Sequence, residues 1–269
     1  MKATLTRVFS VLFILTIFPN VLFAQIDTVR FNKYYFKKYW IDSKAIVSSP
    51  FRWNKGDWTK FAVFLAAEGG LSLADQSVAN FAQDHRSKEL DCISKNFLSP
   101  FNAKYSFALM GGFLAQGLLA KNKKSVSTSF LMLESYSLSM LFVRIPKNLF
   151  GRRRPDAWPP SKPHDWAGPF KGASFPSGHS TAAFAVASVL ANQYREHKWI
   201  PITAYSVAGL AGLSRIYDNK HWLTDVVAGA TIGTLVGNLV SHRKPHSQLT
   251  VVPFGNGTVQ GIHLAYVFK

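Results

Sequence analysis

Three runs in this chain, Tyr105 to Ala120, Trp199 to Ser214 and Val226 to Ser241, each pass sixteen residues without an Asp, Glu, Lys or Arg. A backbone crossing that much apolar sequence must pair its own N–H and C=O groups, and a helix does so within one segment. Apolar periodicity extends the reading to helices over about 58–76, 78–88, 104–121, 126–150, 180–196, 199–213 and 222–241. The later ones are rich in small residues, as in Ala182-Ala183-Phe184-Ala185-Val186-Ala187 and Ala228-Gly229-Ala230-Thr231-Ile232-Gly233, which lets helices approach closely. The expected fold class is therefore all-α, a helical bundle. With 269 residues and 48% hydrophobic content, the chain can bury a core in one domain with appendages.

Whether the bundle crosses a bilayer is a contest between length and charge. Sixteen residues fall short of the roughly 20 that a spanning helix needs, which favours a soluble body. Charge placement favours membrane association: Lys121-Asn122-Lys123-Lys124, Arg195 with Lys198, and Arg243-Lys244 fall at alternate ends of successive helices, as the positive-inside rule would place them. That arrangement requires the 58–76 helix, which carries Glu68 and Asp75, not to span. The membrane-associated reading is the one adopted.

The chain ends add three expectations. Lys2 and Arg7, an apolar stretch from Val8 to Phe18 and a small residue at Ala24 mark residues 1–24 as a secretory signal, the alternative being an uncleaved first membrane helix. Residues 25–57 are an aromatic and basic arm without clear period, suited either to headgroup level beside a membrane or to packing on the body. The helical body covers 58–245, and in the tail, 246–269, strand-type residues flank Gly255-Asn256-Gly257, which predicts a short C-terminal β-hairpin.

Charge narrows the partners. The formal net charge is +17, and Met1 to Ala24 accounts for only two of those charges, so the remainder is strongly basic. Anionic lipid or phosphate-bearing partners fit that balance, while the export signal disfavours nucleic acid. Cys92 is the only cysteine, so no internal disulfide and no thiolate metal cluster can form.

Three clusters carry chemistry. Lys147 and Arg154 stand seven residues apart and can share a helical face if the helix continues to Pro155. Of the run Arg152-Arg153-Arg154, the first two read as a solvated loop and Arg154 as the phosphate clamp, since guanidinium contacts phosphate oxygens bidentately. Pro176-Ser177-Gly178-His179 precedes an alanine-rich helix: Ser177 is placed to cap it, Gly178 admits an anion to the free N–H groups, and His179 would stand beside that anion. Ser214-Arg215 closes one helix and His221 opens the next, with Asp225 four residues on and on the same face, able to hold the imidazole. Fixed cations, two histidines and a carboxylate are what a metal-free phosphoryl transfer needs.

In this order, Lys-x6-Arg-Pro, Pro-Ser-Gly-His and Ser-Arg-x5-His-x3-Asp resemble the type 2 phosphatidic acid phosphatase family, closely over Lys147–Asp225 and loosely over 58–245. The resemblance implies that His221 is the nucleophile that becomes phosphohistidine, that Asp225 orients it and that His179 protonates the leaving oxygen. It implies that Lys147, Arg154, Ser177, Gly178 and Arg215 hold the phosphoryl oxygens, with no metal and no cofactor. The expected activity is hydrolysis of a lipid phosphomonoester or pyrophosphate: phosphatidic acid, phosphatidylglycerophosphate, an isoprenyl pyrophosphate or a lipid A phosphate. The expected place is the bacterial cell envelope, with the site facing the periplasm. Alternatives are a soluble periplasmic acid phosphatase acting on small phosphomonoesters, a vanadate-dependent haloperoxidase and a non-catalytic binder of anionic lipid.

Overall fold

The computed structural model describes residues 33–242, 249–255 and 260–266. The expected signal, the first residues of the arm and the turn of the expected hairpin lie outside the described residues. The helices are α1 (Lys33–Ser48), α2 (Lys55–Ser72), α3 (Asp75–Asp84), α4 (Lys88–Ile93), α5 (Lys104–Leu119), α6 (Lys123–Phe142), α7 (Arg144–Phe150), α8 (Gly178–Gln193), α9 (Trp199–Tyr217) and α10 (Leu223–His242). Strands β1 (Leu249–Gly255) and β2 (Gln260–Tyr266) pair antiparallel, with Leu249 opposite Tyr266.

Local chemistry sets several helix starts. Asn54 caps α2 in a reciprocal box with Asp57, each side chain accepting from the other's backbone N–H. Asn122 caps α6 by accepting from the N–H groups of Lys124 and Ser125, and Ser177 caps α8 by accepting from Ser180 N–H. The single helix expected over 126–150 is broken, α6 stopping at Phe142 and α7 starting at Arg144, two residues before Pro146.

Helix α8 is the centre of the bundle and packs against α6, α9 and α10. Its buried face is Ala182, Ala183, Ala185, Val186, Ala187 and Val189. On α10 small residues recur every four positions, at Gly229, Gly233 and Gly237, and this stripe meets α8. A Cβ at Gly229 would stand 2.4 Å from Ser177 O, so only glycine permits this backbone approach. Around it Met110, Phe113, Leu131, Met132, Leu138, Val186, Val189, Val236 and Val240 form the larger apolar cluster.

The arm expected to lack a period contains α1, and its buried face explains why no apolar period is visible. Tyr35, Lys38, Asp42 and Ala45 are all buried, so two of the four inward positions are charged. Lys38 Nζ donates to Asp42 at 2.7 Å, to Glu134 of α6 at 3.1 and 3.2 Å and to Val240 O of α10 at 3.4 Å. One ammonium thus joins three helices.

Two helical segments, Lys123–Phe150 and Leu223–His242, are long and apolar enough to cross a membrane. Large apolar side chains are exposed on other helices as well, including Val63 and Leu65 on α2, Leu118 and Leu119 on α5, and Ile202, Leu210 and Leu213 on α9. At the end of the bundle where α5 meets α6 and α8 gives way to α9, Lys124 pairs with Glu196 and lies over the Tyr194 ring at 4.4 Å. The two basic loops are therefore neighbours.

Removing the ammonium would strand two buried carboxyl groups. Lys38→Met is expected to lower stability by about 3 kcal/mol or more, read as a loss of melting temperature in detergent, with α1 the first helix to gain protease sensitivity.

Candidate active site

The three clusters meet where α8 and α10 begin. Ser177 N–H donates to Asp225 O at 2.8 Å, which locks the two helix starts together. The α9–α10 turn is closed by Lys220 N–H and His221 N–H, both donating to Arg215 O, at 2.9 and 3.2 Å. That turn puts His221 one helical turn ahead of Asp225, and both are buried.

Asp225 is held on both of its oxygens. Its Oδ2 accepts from Trp222 N–H at 2.9 Å and from Ser174 Oγ, and faces His221 Nδ1 at 3.5 Å. Its Oδ1 accepts from Arg152 Nη1 at 2.7 Å. Four residues spacing His221 from Asp225 therefore does bring imidazole and carboxylate together, and Ser174 Oγ also stands 3.5 Å from Nδ1.

The cations are held in different ways. Lys147 Nζ donates to Ala173 O at 2.7 Å and Ser174 O at 3.3 Å, so it secures the loop that carries Ser174. Arg215 is buried, with its guanidinium on Ser214 Oγ at 3.0 and 3.2 Å and on Asp218. Arg154 does not share a helical face with Lys147, because α7 ends at Phe150 and Gly151 takes a left-handed conformation with φ 58°. A Cβ there would fall 1.8 Å from Gly168 O, so the chain turns sharply and delivers Arg154 from a loop. Arg154 Nε is buried and has no hydrogen-bond partner among the described residues, a donor available to an anion.

Gly178 is the first residue of α8, and a Cβ there would meet only Met140 Cε, at 3.6 Å. Neither backbone conformation nor crowding requires glycine, which leaves approach to the helix N–H groups as its use. His179 follows, its Nε2 standing 3.1 Å from Asn102 Nδ2. Burial first, then the charges of Arg215, His221, Arg154 and Lys147, push His179 down to about 3. Burial also lowers His221 from 6.5, against the opposing pull of Asp225. Both imidazoles are neutral near pH 7, in a pocket whose charge is set by Lys147, Arg154 and Arg215. Among the described residues, no group of three or more His, Cys, Asp or Glu is arranged to hold a metal ion.

The reading of Arg152 fails as well. Arg152 is not a solvated loop residue: it is 1% exposed and bonded to Asp75, Thr224 and Asp225, since its partners cluster where the 151–177 loop folds under α10. Ser174 and Asn102 also belong to the site and were not expected there. Ser174 lies only three residues before Ser177, whereas nothing near Asn102 in the sequence marks it.

A family model described as PAP2 superfamily matches residues 128–248. The chain is 31% identical over 141 residues to lipid A 1-phosphatase of Porphyromonas gingivalis, a stretch covering 51% of this chain and 29% of that protein. It is 34% identical over 118 residues to phosphatidylglycerophosphatase B of Bacillus subtilis, covering 41% of this chain and 55% of that protein. The matched stretches thus span under two thirds of each relative. The solved structure of a transmembrane PAP2 type phosphatidylglycerolphosphate phosphatase from Bacillus subtilis superposes with a TM-score of 0.52 at 26% identity, covering 67% of this chain and 91% of that one.

The unpartnered Arg154 Nε gives this geometry a direct check. Arg154→Met is expected to weaken binding of orthovanadate about tenfold to a hundredfold by calorimetry, the loss of one charge-assisted contact, with the fold unchanged.

Proposed function

We propose that this chain, whose residues 128–248 match the PAP2 superfamily model, is a lipid phosphatase working through a phosphohistidine on His221. The observation that carries the reading is the buried His221–Asp225 pair with Lys147, Arg154 and Arg215 brought around it at the open start of α8.

The phosphoryl group lies on the N–H groups at the start of α8, with Arg154 and Arg215 on its oxygens and Lys147 beside it. Since His221 Nδ1 faces Asp225, Nε2 is the atom free to attack phosphorus. The N–P bond forms as the bond from phosphorus to the lipid oxygen breaks, and His179 delivers a proton to that oxygen. The imidazole of His221 gains positive charge as it attacks, and Asp225 offsets it. Water then attacks the phosphohistidine, His179 takes its proton, and inorganic phosphate leaves with the imidazole restored.

A phosphorylated lipid is favoured over a small ester because the loop between α7 and α8 carries exposed Trp158 and Phe170, suited to an amphipathic substrate at a bilayer surface. The substrates named by the relatives, lipid A and phosphatidylglycerophosphate, define the class to test first. The basic loops at 121–124 and 195–198 lie at the far end of α6 and α8 from the site. With those loops cytoplasmic, the site faces the periplasm.

Wild type is expected to release phosphate from one lipid of a panel of phosphatidic acid, phosphatidylglycerophosphate, isoprenyl pyrophosphate and lipid A, and His221→Ala from none. Release from a soluble phosphomonoester alone would move the protein to the acid phosphatases, and undiminished release by His221→Ala would sink the mechanism.

The pH dependence follows from the two lowered imidazoles. A protonated His221 cannot attack, so lowering its pKa moves the acidic limb of kcat/KM below 6.5. His179 is neutral in the free enzyme, so its proton arrives with the substrate monoanion, whose second ionisation has a pKa of about 6. The basic limb should therefore shift when a substrate with a different phosphate pKa is used. An acidic limb above 6.5, or a basic limb that ignores the substrate, would count against these assignments.

A further inference from the structure

We propose that Arg152, backed by Asp75, is a positioning residue of the reaction, holding Asp225 and through it the His221 imidazole in the attacking orientation. The inference rests on the phosphohistidine reading above. It concerns two residues that the three motif clusters leave out.

The geometry is that of a closed ring. Arg152 Nη1 donates to Asp225 Oδ1 and to Thr224 Oγ1, each at 2.7 Å, and Nη2 donates to Asp75 Oδ2 at 2.6 Å. Asp75 in turn accepts from Thr224 N–H at 2.9 Å and from Thr224 Oγ1 at 2.7 Å. Nε donates to Pro163 O at 2.8 Å, and the guanidinium lies between the Trp166 and Trp222 rings, 5.0 and 5.6 Å from their centroids. Every arm of the guanidinium is engaged, so its position is fixed from four directions.

Asp225 depends on that fixed cation. Among the described residues Oδ1 has Arg152 as its hydrogen-bonding partner, while the contacts of Trp222, Ser174 and His221 all fall on Oδ2. Without a donor on Oδ1 the carboxylate is held through Oδ2 alone, and the oxygen that the imidazole faces is less well fixed. Charge makes the same case. Asp75, Asp225 and Arg152 are all buried and sum to a net charge of −1, which the imidazolium forming on His221 during attack would cancel. Arg152 also steers the site through its backbone, since Arg152 O accepts from Ser174 N–H at 3.0 Å and Ser174 Oγ contacts Asp225.

Thr224 ties the ring into α10, and Asp75 ties it to the first turn of α3, so the same contacts also brace the fold. The test must separate the two roles. Arg152→Met alone would leave two buried carboxylates unpaired, so the informative variant is Arg152→Met with Asp75→Asn, which removes the surplus negative charge. It is read by melting temperature, by kcat and by inhibition with inorganic phosphate, the reaction product, which reports the anion cradle without a bond to His221. The expected result is a folded protein whose kcat falls about 10- to 100-fold while its phosphate inhibition constant moves less than about threefold. Arg152→Lys keeps the buried charge but replaces the rigid fork that donates from Nε, Nη1 and Nη2 with a single point of donation, and the same loss in kcat is expected of it should the double variant fail to fold.

A folded variant of either kind with kcat within about threefold of wild type would overturn the proposal, as would a loss of inorganic-phosphate affinity matching the loss of kcat, which would mean a collapsed site. The phosphohistidine reading fails separately, on a wild type that releases no phosphate or a His221→Ala that still does.

Discussion

The close approach of α8 to α10 governs the rest of this molecule. Gly229 lets the α10 backbone reach Ser177 at the start of α8, and the bond from Ser177 N–H to Asp225 O then fixes the register of one helix against the other. Because Ser177 caps α8 and Asp225 stands in the first turn of α10, one contact aligns the free N–H groups of α8 with the His221–Asp225 pair. A side chain at Gly229 would separate the helix proposed to receive an anion from the helix start beside the imidazole. Gly229, Gly233 and Gly237 of α10 therefore set the geometry of the site, although none of them bears chemistry.

Two buried ion clusters are built alike in this bundle. Around Lys38 one ammonium meets two carboxyl groups in the middle of the bundle and anchors α1. Around Arg152 one guanidinium meets Asp75 and Asp225 under the site. Each cluster strongly penalises the loss of its central cation, because the carboxylates left behind have no water to return to. The pocket above is different: Lys147, Arg154 and Arg215 face two neutral imidazoles, so its local charge favours an anion.

How far this was legible in sequence depends on the range of the interactions. The helical body, the cap at Ser177 and the one-turn spacing of His221 and Asp225 are local, and they read directly from the residues. The helix α1 was hidden because its inward positions include Lys38 and Asp42, which break an apolar period. Arg152 looked like one of three loop arginines because what distinguishes it, Asp75 and Asp225, lies 77 and 73 residues away. Asp75 and Thr224 are further apart still, by 149 residues. The motifs mark the proposed reacting groups, whereas the residues that hold them come from segments that meet only in the folded bundle.

That chemistry reduces to whether a nitrogen–phosphorus bond forms on His221. The direct measurement is an alkaline quench of wild type during turnover of a phosphate-labelled lipid, followed by mapping of the labelled peptide. Label on the peptide carrying His221, absent from His221→Ala, is the predicted result. Turnover with no label on protein, together with inverted configuration at a chiral phosphorus, would mean direct attack by water and would contradict the account.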